Sequence, residues 1–282
     1  MIYIIIRIAV IVVFFIFYKI AERLNCDPAK IGLSYFSIAT LIALVYSIST
    51  HNLAFNYKAI VIGLVCGLTM SCAAYTFLLL IEVSKFGVST IIANLSFIIP
   101  ILVSVFVFKE KPTFTVYISF VLIVLTFYLL AETGKEKGEK EKIKIWLMLA
   151  IIAMVAAGVT DTGPKLIEEL GLSDITMSYL SYSYFFALLP MLGICIKRKS
   201  YPSKKEWLIG LGLGSFGLMS MAFLVLTLKY IPATIAYPLV LISANIIIVL
   251  LSFFIWKEKL KLKQIFGVIT GIVAVVLLNL SI

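Results

Sequence analysis

Charged residues are so sparse along this chain that they act as punctuation between apolar runs. Lys30 to Lys58 encloses 27 uncharged residues, Lys58 to Glu82 encloses 23, Lys85 to Lys109 another 23, and Lys111 to Glu132 encloses 20. The rhythm then resumes, with 16 between Lys144 and Asp161, 22 between Asp174 and Lys197, and 22 between Glu206 and Lys229. Lys229 to Lys257 gives 27 more, and 19 follow Lys263. A helix of about 20 apolar residues spans the hydrocarbon of a bilayer. The pattern predicts ten spans, at 2–19, 31–49, 59–81, 87–108, 113–131, 144–161, 175–196, 207–228, 233–256 and 264–281. The first carries one charge, Arg7, which is expected near an end, where its long stem reaches the interface.

Composition agrees with this reading. Of 282 residues, 62% are hydrophobic and 13% charged, with mean hydropathy +1.14. Soluble domains carry about 25% charged residues. The class is an all-α membrane protein whose main partner is the lipid bilayer, expected in the cell (plasma) membrane. The N-terminal run has little of a basic n-region and no A-x-A-like cleavage site, so it reads as a retained span and not as a signal peptide. The net charge of +10 sits in short clusters between apolar runs, as loop charges do. It does not point to nucleic acid.

Several chemistries find no support. Cys26, Cys66, Cys72 and Cys195 form no CxxC pair and read as small core residues. His51, the single histidine, offers no metal site. No GxxxxGK[ST] run is present to bind a nucleotide. An intramembrane enzyme needs a cluster such as Ser/His or His/Asp/Glu within the spans, and none is apparent. No cofactor, metal or enzymatic role is expected.

Self-similarity sets the architecture. Residues 132–144, ETGKEKGEKEKIK, carry nine charges of mixed sign and read as a solvated linker. They divide a first repeat, 1–131, from a second, 145–282. Phe108-Lys-Glu-Lys111 returns 148 residues later as Trp256-Lys-Glu-Lys259, and Lys19-Ile-Ala-Glu22 returns 146 residues later as Lys165-Leu-Ile-Glu168. Two halves of five spans each must lie upside down relative to one another. The expected fold is therefore ten transmembrane helices as two inverted five-helix repeats, a plan used by secondary transporters with the substrate near the midplane.

Polar side chains inside the spans are the candidate substrate ligands. Span nine supplies Tyr237, Ser243 and Asn245, with Tyr237 and Asn245 about two turns apart on one face. Span four supplies Ser89, Asn94 and Ser96. Pro100 and Pro238 are candidate hinges, in equivalent spans of the two halves, because each removes a backbone hydrogen bond. Tyr179 and Tyr182, with Tyr184 and the serines between them, either wall a cavity or form an interfacial aromatic belt. Tyr75 is a weaker candidate beside Ser71 and Thr76. Every one of these also fits plain interhelical hydrogen bonding. Asp161, ahead of Gly163-Pro164, is either an ion or proton ligand or a helix-end acid at the interface. Lys19 and Lys165 either attract anions or snorkel to the surface. Gly63-x-x-x-Gly67 and Gly267-x-x-x-Gly271 are close-packing motifs, expected to act within the chain, since ten spans build a cavity alone. A monomer is favoured over a homodimer.

Lys229-Tyr-Ile-Pro232-Ala-Thr-Ile-Ala236-Tyr237, Lys257-Glu258-Lys259-Leu260 and the Gly267 to Leu280 run resemble the last two spans of small multidrug resistance proteins. The whole layout resembles the EamA-like ten-span group of the drug/metabolite transporter superfamily. The resemblance implies a secondary transporter working by alternating access. It departs in two places. The family's membrane-embedded Glu falls near Leu189, and the aromatic following its third-span Tyr falls at Val240. Proton-coupled efflux of cations by that family's mechanism is not supported.

Of the 24 Lys and Arg, 18 fall on the side of loops 1–2, 3–4, 5–6, 7–8 and 9–10. The positive-inside rule places that side in the cytoplasm and both termini outside, although the family usually has cytoplasmic termini. The expected function is secondary-active or facilitative transport of a small organic solute (a metabolite, an amino acid or a drug-like compound), in the export direction. The alternatives are an uptake carrier for sugars or sugar phosphates and a non-transporting structural subunit. The anion carrier is disfavoured because the spans offer no Lys or Arg beyond their end positions.

Overall fold

The computed structural model describes residues 2–51, 53–83, 95–130, 140–256 and 262–279. Among these there are ten α-helices and no strand. They are α1 (Ile2–Arg23), α2 (Pro28–Ser49), α3 (Tyr57–Val83), α4 (Ile98–Phe106), α5 (Phe114–Leu130), α6 (Lys140–Glu169), α7 (Thr176–Arg198), α8 (Lys204–Leu228), α9 (Ala233–Trp256) and α10 (Leu262–Asn279). Helix is the natural outcome where no water competes for backbone polar groups, because it satisfies each N–H and C=O locally.

Among the described residues, six helical segments are long and apolar enough to cross a membrane: Ile2–Arg23, Pro28–Ser49, Tyr57–Glu82, Leu147–Glu169, Ser173–Arg198 and Lys204–Leu228. Phe114–Thr126, Ala233–Ile248 and Ile265–Ala274 are shorter apolar runs. Of the expected span 87–108, the described residues hold a helix only over Ile98–Phe106, and the end of α6 also departs from the charge rhythm. A span ending at Asp161 was expected, but the helix continues to Glu169. Lys165 in that last stretch is met by Glu168 and Glu169, so it does not need to leave the bundle.

Helix ends are closed by their own side chains. The Asp27 carboxylate caps α2, accepting from the Ala29 and Lys30 amides at 2.9 and 3.2 Å, with Pro28 at the first helical position. Ser203 and Glu206 form a capping box at α8. Such caps satisfy amides that the helix itself leaves open.

Packing runs across the chain's two halves. α3 lies against α6 and α7, α2 against α7 and α8, α1 against α8 and α9, α4 against α6, and α5 against α10. Two of these seams depend on glycine. A side chain at Gly63 would meet Tyr182 and Ser183 of α7, and one at Gly67 would meet the Ser183 carbonyl and Phe186. On the α2–α8 seam, Gly210 faces Ser34, and Gly214 faces Tyr35 and Ile38. The Gly63 motif therefore packs within the chain. Small residues let membrane helices approach closely where lipid gives no hydrophobic drive.

Candidate functional site

Between these helices lies a partly open space of about 150 Å³. Each helix that borders it contributes one face. α1 supplies Arg7, Ile11, Phe14, Phe15 and Tyr18, spaced as a single helical stripe. α3 supplies Met70, Ala73, Ala74 and Phe77, and α6 supplies Ala153, Ala157, Thr160 and Asp161. α8 adds Gly217, Ser220 and Met221, while Tyr35, Ser96 and Leu241 close the remaining gaps.

The linings of the two halves correspond. Arg7, Ile11, Phe14 and Phe15 are followed 146 positions on by Ala153, Ala157, Thr160 and Asp161. Met70, Ala73 and Ala74 are followed 147 positions on by Gly217, Ser220 and Met221. The charges break this equivalence, since Arg7 matches an alanine and Asp161 a phenylalanine.

Polar contacts concentrate around Asp161. Ser96 Oγ donates to its Oδ2 at 3.2 Å, and the Tyr237 hydroxyl donates to its backbone carbonyl at 2.5 Å. Pro164 lies inside α6 and cannot bond the carbonyl one turn upstream, so the helix is locally loosened at this point. Gly163 leaves room for the Tyr179 hydroxyl and the Cys66 sulfur to sit against the same segment. Thr160 joins α6 to α3 through a 2.9 Å contact with Thr69.

Arg7 is the other charge. It is 3% exposed and does not reach an interface, contrary to the sequence expectation. Its Cζ lies 6.0 Å from the centre of the Tyr237 ring, and its Nε and Nη1 are buried without a hydrogen-bond partner. α1 turns this residue toward the cavity, along the same stripe as its aromatic side chains. A basic group thus does line the interior, which sequence reasoning missed. The available signal was a lone charge two turns into an otherwise apolar run.

The remaining walls are aromatic. Phe14 meets Tyr18 at 5.0 Å and Tyr35 at 5.8 Å between ring centres, and Phe77 meets Tyr18 at 5.2 Å and Phe15 at 5.8 Å. Edge-to-face pairs of this kind hold a wall in shape.

A second charged cluster lies about one turn along α6 from Asp161. Lys165, 4% exposed, holds Glu110 at 2.9 Å, Glu168 at 3.0 Å and Glu169 at 2.6 Å. Glu110 also accepts from the Ala233 and Thr234 amides at the start of α9, both at 3.2 Å. A carboxylate there meets the positive end of the helix dipole. Lys165 is therefore buried in an ionic cluster and does not snorkel. Lys19 is 8% exposed and pairs with Glu22 at 2.9 Å.

The other candidates separate. Tyr237, Ser96 and Asp161 come together. Tyr179 is buried on the α7 side of Gly163. Tyr182 donates to the Ala54 carbonyl at 2.8 Å, and the Tyr75 hydroxyl accepts from Arg198 at 3.3 Å; neither borders the cavity. Asn245 is buried and Ser243 half-buried, but the α9 residue in the lining is Leu241. Pro100 lies in the first turn of α4, just after a tight turn at Leu95–Phe97, and Pro238 lies inside α9. Leu189 is 42% exposed on the outside of the bundle. Ser89, Asn94 and Lys257-Glu258-Lys259 lie outside the described residues. Among the described residues, no group of three or more His, Cys, Asp or Glu side chains is arranged to hold a metal ion.

A membrane-embedded helical bundle with a solute-sized, partly charged cavity between its halves is the architecture of a membrane carrier. Residues 144–280 match the EamA-like transporter family and form a domain of that family. This agrees with the drug/metabolite transporter superfamily. A solved crystal structure of a protein at 13% identity superposes with a TM-score of 0.72, covering 96% of this chain and 95% of the other, and so shares the fold. No curated protein matches the sequence.

Proposed function

We propose that this protein is a secondary-active or facilitative transporter that carries a small organic solute across the plasma membrane by alternating access. The observation that carries this reading is the cavity, walled by corresponding residues of α1 and α6 and of α3 and α8. A solute held between two like halves can be exposed to either side by rocking one against the other.

Ten spans in two inverted repeats, 1–131 and 145–282, are part of the proposal. The helix pairings support it, because adding or subtracting five from each helix number turns the α3–α6 seam into α8–α1 and the α3–α7 seam into α8–α2. The glycine seams obey the same exchange, since Gly63 and Gly67 lie 147 positions before Gly210 and Gly214.

Export is the favoured direction. Along α1 the lining runs from one end at Arg7 to a second end at Tyr18, toward the connection to α2. That second end faces the side richer in Lys and Arg, which the positive-inside rule makes cytoplasmic. Asp161 is the acid in the lining and so the candidate for coupling to protons. Tyr237, Ser96 and Arg7 are the polar groups that hold or surround it.

The test is a solute panel in proteoliposomes, with and without a pH gradient. Exchange of at least one organic solute is expected, and Asp161→Asn removes any stimulation by the gradient. If no solute in a broad panel crosses or binds, transport is the wrong reading.

A further inference from the structure

We propose that the cavity takes a small amphipathic organic acid, with Arg7 as the residue that recognises its carboxylate. This deepens the transport reading and rests on it. A guanidinium keeps its proton under all ordinary conditions. A charge buried without partners is costly unless a counter-charge meets it. Arg7 is buried with two nitrogens lacking hydrogen bonds; the Asp161 carboxylate attracts it from within the same cavity but forms no ion pair with it. It lines the cavity, so the missing partner fits as a ligand.

The rest of the space describes the remainder of that ligand. Phe14, Phe15, Phe77 and Met70 offer apolar walls. A cavity near 150 Å³ is of a size that accommodates a benzene-like body. Asp161 limits the anion's charge. Arg7 and Asp161 cancel within the cavity, so a phosphate dianion would add two uncompensated negative charges, a plain carboxylate one, and a zwitterionic α-amino acid none. Sugar phosphates, with many hydroxyls, do not suit these walls. The carboxylate can belong to a plain organic acid or to an α-amino acid, whose ammonium would be met by Asp161.

The test compares phenylpropionate, phenylpropionamide, phenylalanine and phenyl phosphate by calorimetry on the full chain in nanodiscs. The acid is expected to bind at least tenfold tighter than the amide, a comparison that needs no variant. Arg7→Gln weakens the acid tenfold or more and leaves the amide unchanged, and Arg7→Lys recovers part of the loss. Phenylalanine binding tighter than phenylpropionate, with the gain lost in Asp161→Asn, identifies the amino-acid source; weaker binding identifies the plain acid. Equal affinity for acid and amide overturns the inference. So does unchanged acid binding in Arg7→Gln, tighter binding of phenyl phosphate, or no binding of any probe at millimolar concentration. The two readings fail separately. Transport of neutral solutes without acid preference removes only this inference, and acid binding without movement of any solute removes only the transport reading.

Discussion

Lys165 Nζ lies 2.9 Å from Glu110 Oε1, and the same carboxylate caps the first amides of α9. One side chain therefore ties the end of α6 to the start of α9. Lys165→Met leaves Glu110, Glu168 and Glu169 without their shared cation, whereas Glu110→Gln leaves Lys165 with two carboxylates. Removing one partner of a buried pair costs about 3–5 kcal/mol. The expected order of thermal stability in detergent is wild type, then Glu110→Gln, then Lys165→Met. Equal melting temperatures for the two variants would show that Glu168 and Glu169 do not depend on Lys165.

The Tyr237 hydroxyl is the donor to the Asp161 carbonyl, beside the break introduced by Pro164. Tyr237→Phe keeps the ring near Arg7 and removes only that bond. A buried acceptor left unpaired costs about 1–3 kcal/mol. A lower melting temperature by that amount is expected, with ligand affinity changed less than in Arg7→Gln. Affinity losses larger than those of Arg7→Gln would make Tyr237 the principal ligand group.

Glycine substitutions separate close packing from plain helix. Gly67→Ala places a methyl against the Ser183 carbonyl and Phe186, and Gly214→Ala places one against Tyr35 and Ile38. Overpacking of this kind costs about 1–3 kcal/mol. At Gly193 an added methyl meets nothing within 4 Å, so Gly193→Ala is expected to be neutral or stabilising. Circular dichroism melts of the three variants check this contrast.

Cys26 lies between α1 and α2 and lines a second hollow with Glu22, Asn25, Leu78 and Glu82. Burial raises its thiol above the usual range, and the Glu206 carboxylate adds to the shift. The thiol form is therefore favoured at neutral pH. Labelling by a membrane-impermeant maleimide is expected to increase as pH rises, because the thiolate is the nucleophile. Cys66 and Cys195 are buried and stay unlabelled. In sealed inside-out vesicles the reagent reaches Cys26 if the basic side is cytoplasmic, as mass spectrometry will read.

The spans were legible because lipid imposes one demand, an uncharged run of sufficient length, and the gaps between charges report it directly. α3, α5, α7, α8, α9 and α10 all begin and end within a few residues of those gaps. α6 ran eight residues longer, because Lys165 carries its counter-ions with it and a charge count treats them as solvated. Tyr237, Ser96 and Asp161 were among the candidates, but their convergence depends on α6 and α9 meeting, which no local pattern encodes. Arg7 was misplaced for the same reason. Charge in a span warns of function, but depth and facing are set by the neighbouring helices. Ser243 and Asn245 share a polar character with the lining, yet the helix turn that faces the cavity presents Leu241.

The crossed seams also govern how the chain is made. α1 packs on α8 and α9, and α3 on α6 and α7, so the helices synthesised first have their neighbours last. An N-terminal half emerging from the ribosome carries Arg7 and the bare Gly63 and Gly67 surfaces into the membrane before anything covers them. Assembly must wait for the second half, and a truncation after α5 is expected to be a substrate for membrane quality control and not a working half-carrier.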